Sequence, residues 1–299
     1  MRVPFTKMHG AGNDFVVIDA RESFAADFWS VDRIRHLASR HLGVGADQVL
    51  LVEKPRPLDG VKAQGDEAQF LYRIFNADGH EVEQCGNGAR CFARFVLDRG
   101  LAQGPGIRVQ TRAGLIEPVR LANNNIRVDM GRPRLDAADL PFETQGLASR
   151  RVHAITLYEL DVSSSGELAW VAPVSMGNPH LVQWLEVAPT DKLIEDQGLW
   201  LQSHRRLPQR VNAGFARIEN QSAIALRVFE RGAGETLSCG TGACAAAVAG
   251  IAQGRLNSSV PVSVATRGGV LQIEWSGSLH DSVFLAGPAE TVFEGVIEL

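Results

Sequence analysis

The sequence predicts a mixed α/β (α+β) fold: two pseudo-symmetric domains from an internal duplication, each a mostly antiparallel sheet wrapped around a central buried helix. Three observations predict it. First, Arg73-Ile-Phe-Asn-Ala-Asp-Gly-His-Glu-Val-Glu-Gln-Cys85-Gly-Asn-Gly-Ala89 returns without gaps as Arg227-Val-Phe-Glu-Arg-Gly-Ala-Gly-Glu-Thr-Leu-Ser-Cys239-Gly-Thr-Gly-Ala243. The pairs Arg73/Arg227, Phe75/Phe229, Glu81/Glu235, Cys85/Cys239, Gly86/Gly240, Gly88/Gly242 and Ala89/Ala243 coincide. Second, Ala243-Cys-Ala-Ala-Ala-Val-Ala-Gly-Ile-Ala252 is small and apolar on every side. A helix of that kind belongs in a core. Third, 299 residues with 45% hydrophobic content leave room for two domains of ordinary size.

The elements follow in order. Gly10-Ala-Gly-Asn-Asp14 reads as a turn and Phe15–Asp19 as a short apolar strand. Residues 30–40 carry Val31, Ile34, Leu37 and Ala38 at helical spacing, with Ser30 as N-cap. Gly43 to Gln48 leads into a strand over Val49–Val52. Lys54 to Gln69, with two prolines and two glycines, reads as an exposed loop. A strand over Leu71–Phe75 enters the first cysteine motif, and a helix over Ala89–Leu97 ends near Gly100. Short strands follow at 107–111, 114–121 and 126–130. The polar turn Asn123–Asn125 marks the change of unit, giving domains at 1–124 and 125–283. In the second, Gly177-Asn178-Pro-His180 echoes Gly12-Asn13-Asp-Phe15, a helical stretch spans Asp191–His204, and a strand again enters the cysteine motif.

Composition excludes several function classes. A net charge of −4 gives no basic footprint for nucleic acid. No apolar run is long enough to span a bilayer, so no membrane partner is expected. The N-terminal residues lack the apolar core of a secretory signal, so a cytoplasmic location with reduced thiols is expected. Cys85, Cys91, Cys239 and Cys244 lack paired zinc-site spacing, so neither a metal site nor a disulfide framework is expected. Cys91 and Cys244 lie in apolar helical sequence and read as core residues.

Cys85 and Cys239 differ, because each is followed by Gly-x-Gly at the start of a helix. Gly86 and Gly240 are expected to let the backbone approach a ligand closely and to adopt angles closed to other residues. Unpaired N–H groups and a partial positive charge at a helix N-terminus form an anion site and stabilise a thiolate. Such a loop can hold a substrate carboxylate and set a base beside its α-carbon. Two of them facing one ligand would let a thiolate remove the α-proton from one face while a thiol protonates the other. Lys7, Lys54, Lys62 and Lys192 are the only lysines and none sits in a phosphate-loop context, so pyridoxal phosphate is not expected and catalysis without a cofactor is. Glu230 and Arg231 stand where the first copy has Asn76 and Ala77, which makes the two walls unlike.

Met8-His-Gly-Ala-Gly-Asn-Asp-Phe15, Phe75-Asn-Ala-Asp-Gly79, Gln84-Cys-Gly-Asn-Gly-Ala-Arg90, Gly177-Asn-Pro-His180, Glu230-Arg-Gly-Ala-Gly-Glu-Thr236 and Cys239-Gly-Thr-Gly-Ala-Cys244 together resemble diaminopimelate epimerase, in the right order from Met8 to about Gly287. The resemblance implies interconversion of LL- and meso-2,6-diaminoheptanedioate, on the route to lysine and peptidoglycan, with Cys85 and Cys239 as the two bases. It implies that Gly86, Asn87, Gly240 and Thr241 hold the reacting carboxylate. Asn13, Gln48, Asn76, Asn178, Asn212, Glu230 and Arg231 would line the site, and His180 and Glu230 would tune the thiols. A strand over 284–299 would return to the first domain. Phe293 stands where the family often has a tyrosine at a dimer contact; the ring is kept, the hydroxyl is lost, and a homodimer is expected. Proline racemase-like and PhzF-like proteins share this fold but lack the full set of segments. A non-catalytic amino acid binding protein would not need both thiols, and a cysteine hydrolase would leave the second one unexplained.

Overall fold

The computed structural model describes residues 1–299 except 23, 26, 57–67 and 84, so most of the loop expected over 54–69 lies outside the described residues. The chain divides into two compact units, Met1–Asp129 with Ala286–Leu299, and Met130–Leu285. Unit one holds β1 (Arg2–Gly10), β2 (Asn13–Asp19), α1 (Val31–Ala38), β3 (Gln48–Glu53), β4 (Phe70–Asn76), β5 (Glu81–Val82), α2 (Gly86–Asp98), β6 (Val109–Thr111), β7 (Gly114–Ile116), β8 (Val119–Arg120) and β9 (Ile126–Asp129). Unit two holds β10 (Ser149–Val152), β11 (Ile155–Asp161), β12 (Leu168–Ser175), β13 (Pro179–Trp184), α3 (Asp191–Gln202), β14 (Asn212–Asn220), β15 (Ala223–Glu230), β16 (Gly234–Thr236), α4 (Gly240–Ala252), β17 (Val262–Thr266) and β18 (Gly269–Glu274). β19 (Phe284–Gly287) carries the chain back to unit one, where β20 (Glu290–Glu298) ends it. The Asn123–Asn125 turn closes the β8–β9 hairpin, with Leu121 N–H bonded to Asn125 C=O.

The fold is the duplicated, mostly antiparallel α+β arrangement that the repeat implies. In unit one the sheet runs β20-β1-β2-β3-β4-β6-β7, with β5 on β4. In unit two it runs β10-β11-β12-β13-β14-β15-β17-β18, with β16 on β15. Parallel pairs fall at matching places: β2–β3 matches β13–β14, and β4–β6 matches β15–β17. Register matches too. Phe15 faces Gln48 as His180 faces Asn212, Val49 faces Phe75 as Ala213 faces Phe229, and Phe75 faces Glu81 as Phe229 faces Glu235.

Each sheet has a helix on both faces, which explains the continuous apolar runs of its inner strands. The inner helices are α2 and α4. α4 touches β12, β13, β14, β15, β17 and β18, and its alanines let those strands approach on every side. Cys91 and Cys244 are fully buried within these helices, as their sequence context implies. The outer helices are α1 and α3. Ile34, Leu37 and Ala38 of α1 pack on Val16, Ile18, Val49 and Leu51. Ile194 and Leu201 of α3 pack with Leu181, Phe215 and Phe229. Both outer helices start at side-chain caps, where Ser30 accepts from Arg33 N–H and Thr190 from Leu193 N–H. The inner pair lack such caps: Cys85 and Cys239 occupy the N-cap positions in extended conformation and make no side-chain cap bond. A helix start without a capping hydroxyl or carboxylate is a place where backbone N–H groups can serve an anion.

Candidate active site

In unit one, the register of β2, β3 and β4 brings Asn13, Gln48 and Asn76 to the strand ends beside the N-terminus of α2. The Cys85 thiol is half-buried, and its S–H points to Asn13 Oδ1 at 3.8 Å. That amide has one possible orientation. Asn13 Nδ2 donates to the Asp47 carboxylate at 2.8 Å, and Asn13 Oδ1 accepts from Asn87 Nδ2 at 3.2 Å. Asn87 Oδ1 in turn accepts from the buried Arg90 guanidinium at 2.9 Å. A carboxylate cannot donate and a guanidinium cannot accept, so the polarity of every amide between them is fixed. Arg90 also donates to Pro288 C=O at 3.2 Å. The Asn87 side chain is thus committed to bracing α2.

Asp47 belongs to an ion cluster with Asp14, Arg40 and Lys7. Arg40 reaches both carboxylates, and Lys7 holds Asp14 at 2.6 Å together with Gly45 C=O. Burial pushes the Asp14 carboxyl up, but the bonds from Arg40, Lys7 and the Asp47 N–H outweigh it and hold the carboxyl at about 2. Gln48 Nε2 donates to Asn76 Oδ1 at 2.8 Å, while the buried Gln48 Oε1 has no partner among the described residues. Tyr72 donates to the Cys85 C=O at 3.4 Å, fixing the carbonyl that starts α2.

In unit two the same scaffold carries different chemistry. Cys239 is nearly enclosed and donates its S–H to Glu230 Oε2 at 2.9 Å. Glu230 Oε1 accepts from the Thr236 hydroxyl at 2.5 Å. A second chain arrives from His180, whose Nε2 bonds to Asn178 Oδ1 at 3.0 Å. Asn178 Nδ2 donates to the Thr241 hydroxyl at 3.2 Å, and Thr241 Oγ1 lies 3.6 Å from Cys239 Sγ. Burial, then the Arg231 charge, pushes His180 down to about 3, so the imidazole is neutral and reaches the sulfur only through Asn178 and Thr241. Asn212 Oδ1 accepts the Arg231 backbone N–H at 2.8 Å, and the exposed Arg231 side chain rests on Gln209 C=O at 3.3 Å.

Two expectations need correction. The helix N-terminus is expected to lower both thiols. At Cys239, burial and then the Glu230 carboxylate instead hold the thiol well above its ordinary value, against weaker donation from Thr241 and the Gly242 N–H. Gly86 and Gly240 are expected to adopt angles closed to other residues, yet both have ordinary helical φ. The tight positions lie two residues on. A Cβ at Gly88 would meet the Tyr72 hydroxyl at 2.6 Å, and one at Gly242 would meet Val228 at 2.9 Å and Cys239 Sγ at 3.3 Å.

Within each unit, the residues singled out from the sequence converge on the N-terminus of the inner helix. A family model for diaminopimelate epimerase matches residues 5–135 and 172–292. The chain belongs to the diaminopimelate epimerase family. It is 53% identical to a diaminopimelate epimerase of Herminiimonas arsenicoxydans, with all of both chains covered. It is 51% identical to one of Burkholderia ambifaria, covering 100% of this chain and 99% of that one. Among solved structures, its fold matches a PhzF-family phenazine biosynthesis protein of Bacillus anthracis (TM-score 0.70, 15% identity, both chains fully covered). It also matches a hydroxyproline epimerase of Agrobacterium vitis with bound trans-4-hydroxy-L-proline (TM-score 0.66, 16% identity, 99% and 92% covered).

Sequence reasoning gives no role to Arg90, Asp47, Tyr72 or Thr236. Arg90 and Thr236 lie within family motifs, and that membership is the available signal. Nothing local marks Asp47 or Tyr72.

Proposed function

We propose that this member of the diaminopimelate epimerase family interconverts LL- and meso-2,6-diaminoheptanedioate without a cofactor, as a cytoplasmic step toward lysine. The observation that carries the reading is a thiol at the uncapped N-terminus of the inner helix in each of two equivalent units. Cys85 as thiolate takes the α-proton: the Cα–H bond breaks and an S–H bond forms. Cys239, kept protonated by burial and by Glu230, delivers its proton to the opposite face of the same carbon. In the reverse direction the two exchange roles.

The reacting carboxylate is held by the first-turn N–H groups of Gly86, Asn87, Gly240 and Thr241, which also stabilise negative charge as the proton leaves. Asn13, Gln48, Asn76, Asn178 and Asn212 line the site, with the unpartnered Gln48 Oε1 offering an acceptor to an ammonium group. The Arg231 fork suits the distal carboxylate. His180 and Glu230 set the proton affinity of the second thiol, His180 through Asn178 and Thr241.

A homodimer through the edge strand β20 fits the exposed Val292, Phe293 and Val296 along it, where Phe293 lies edge-on to Phe5 at 5.9 Å between ring centroids. The deciding experiment is incubation of either stereoisomer in deuterium oxide. Deuterium should enter at the α-carbon as the isomers interconvert. Active, folded protein that leaves both isomers unlabelled would overturn the reading.

A further inference from the structure

Glu230 and Thr236 lie on the two strands of the β15–β16 hairpin, with Val228 facing Thr236 and Glu230 facing Gly234. Arg227 clamps this hairpin through both Glu235 oxygens, at 2.6 and 2.7 Å. A carboxylate only accepts, so at Glu230 the two donors are the Thr236 hydroxyl on Oε1 and the Cys239 S–H on Oε2. With Oε1 taken, the carboxylate cannot rotate away from the sulfur without losing a charge-assisted bond.

The equivalent hairpin in unit one has the same arginine clamp, Arg73 on Glu81 at 3.0 and 2.8 Å. It carries Asn76 and Val82 in the places of Glu230 and Thr236. Hydroxyl and carboxylate are therefore both present in one unit and both absent from the other, while the clamp is common to the two. The hydroxyl goes with the carboxylate, not with the hairpin.

We propose that Thr236 is a positioning residue of the second half-site, whose hydroxyl fixes Glu230 so that one carboxylate oxygen is permanently aimed at the Cys239 thiol. The inference rests on the reading of Cys239 as a proton donor and adds what keeps the proton there. Thr236→Val removes the donor at nearly constant volume, and Thr236→Ser keeps it. In ligand-free protein, iodoacetamide labelling of Cys239 and Cys85 is followed on separate peptides as a function of pH. In Thr236→Val the Cys239 midpoint should fall by roughly one pH unit, the scale set by a hydrogen bond to a charged group. The Cys85 midpoint should stay where it is, and Thr236→Ser should match the unmodified protein. In turnover, Thr236→Val should lose roughly 10- to 100-fold in kcat with KM within about two-fold.

An unchanged Cys239 midpoint in folded Thr236→Val would overturn the proposal. So would a serine variant as impaired as the valine one, since packing of the methyl group would then be the cause. The labelling needs no substrate, so it is separable from failure of the epimerase reading, which would show as absent isotope exchange in the unmodified protein.

Discussion

The first half-site offers its thiol an amide, and the second offers a carboxylate. Cys85 faces Asn13 Oδ1 in an amide chain pinned at one end by Asp47 and at the other by Arg90. Cys239 faces Glu230, with His180 behind it where unit one has Phe15. The strand register, the helix starts and the arginine clamps were kept in both copies, and the charges near the sulfur were not. Duplication supplied two equivalent places for a thiol, and substitution at a few strand ends gave them unlike surroundings.

The largest effect should come from removing either sulfur. Cys85→Ala and Cys239→Ala should each lower epimerisation by at least about 10³-fold, since a proton taken from one face then cannot be returned on the other. Chiral chromatography of the diaminopimelate isomers measures it. Near-normal turnover in either variant would show that the two halves are not partners, and the comparison would lose its chemical meaning.

A smaller effect should appear in stability against pH. His180 has a folded value of about 3 against an ordinary 6.5, so the unfolded chain takes up this proton first. Its contribution is complete above pH 6.5 and is lost as pH falls from there toward 3, by roughly 1.4 kcal/mol per pH unit. Asp14, held at about 2 against 3.8, adds its own loss only as pH drops below 3.8. His180→Phe places the unit-one residue in unit two. Urea unfolding between pH 7 and 4 should then give a flatter dependence than in the unmodified protein. Parallel curves would mean that the imidazole is not kept neutral by the fold.

Much of this architecture is legible in the amino-acid sequence. The inner helices and the strands Val49–Val52 and Leu71–Phe75 declare themselves because continuous burial forces an apolar pattern on them, and α1 does so by its apolar stripe and its cap at Ser30, while the cap of α3 at Thr190 shows only in the structure. β1 does not, since Thr6 and Lys7 interrupt its pattern yet are buried, Lys7 by its bond to Asp14. β20 does not either, because most of its residues are exposed and carry little pattern. At the site, the thiols and the asparagines stand out through repeated motifs. The direction of the Cys239 shift does not, because it depends on a carboxylate that the hairpin folds back onto the sulfur. Nor does the polarity of the Asn13–Asn87 chain, which is set by Asp47 and Arg90 from separate elements.

Unit one is built from both ends of the chain. Met1 N–H donates to Leu299 C=O at 2.6 Å, and β20 covers the edge of β1 along its length. During synthesis unit one therefore starts first and closes after unit two, and β1 waits as an open edge until β20 emerges. Unit two has no such delay, because its sequence is continuous. Released chains that end at Gly287 should present a protease-resistant unit two and a cleavable unit one. A circular permutant joining residue 299 to residue 1 and opened within unit two would reverse that order of birth while leaving every contact of β1 with β20 in place.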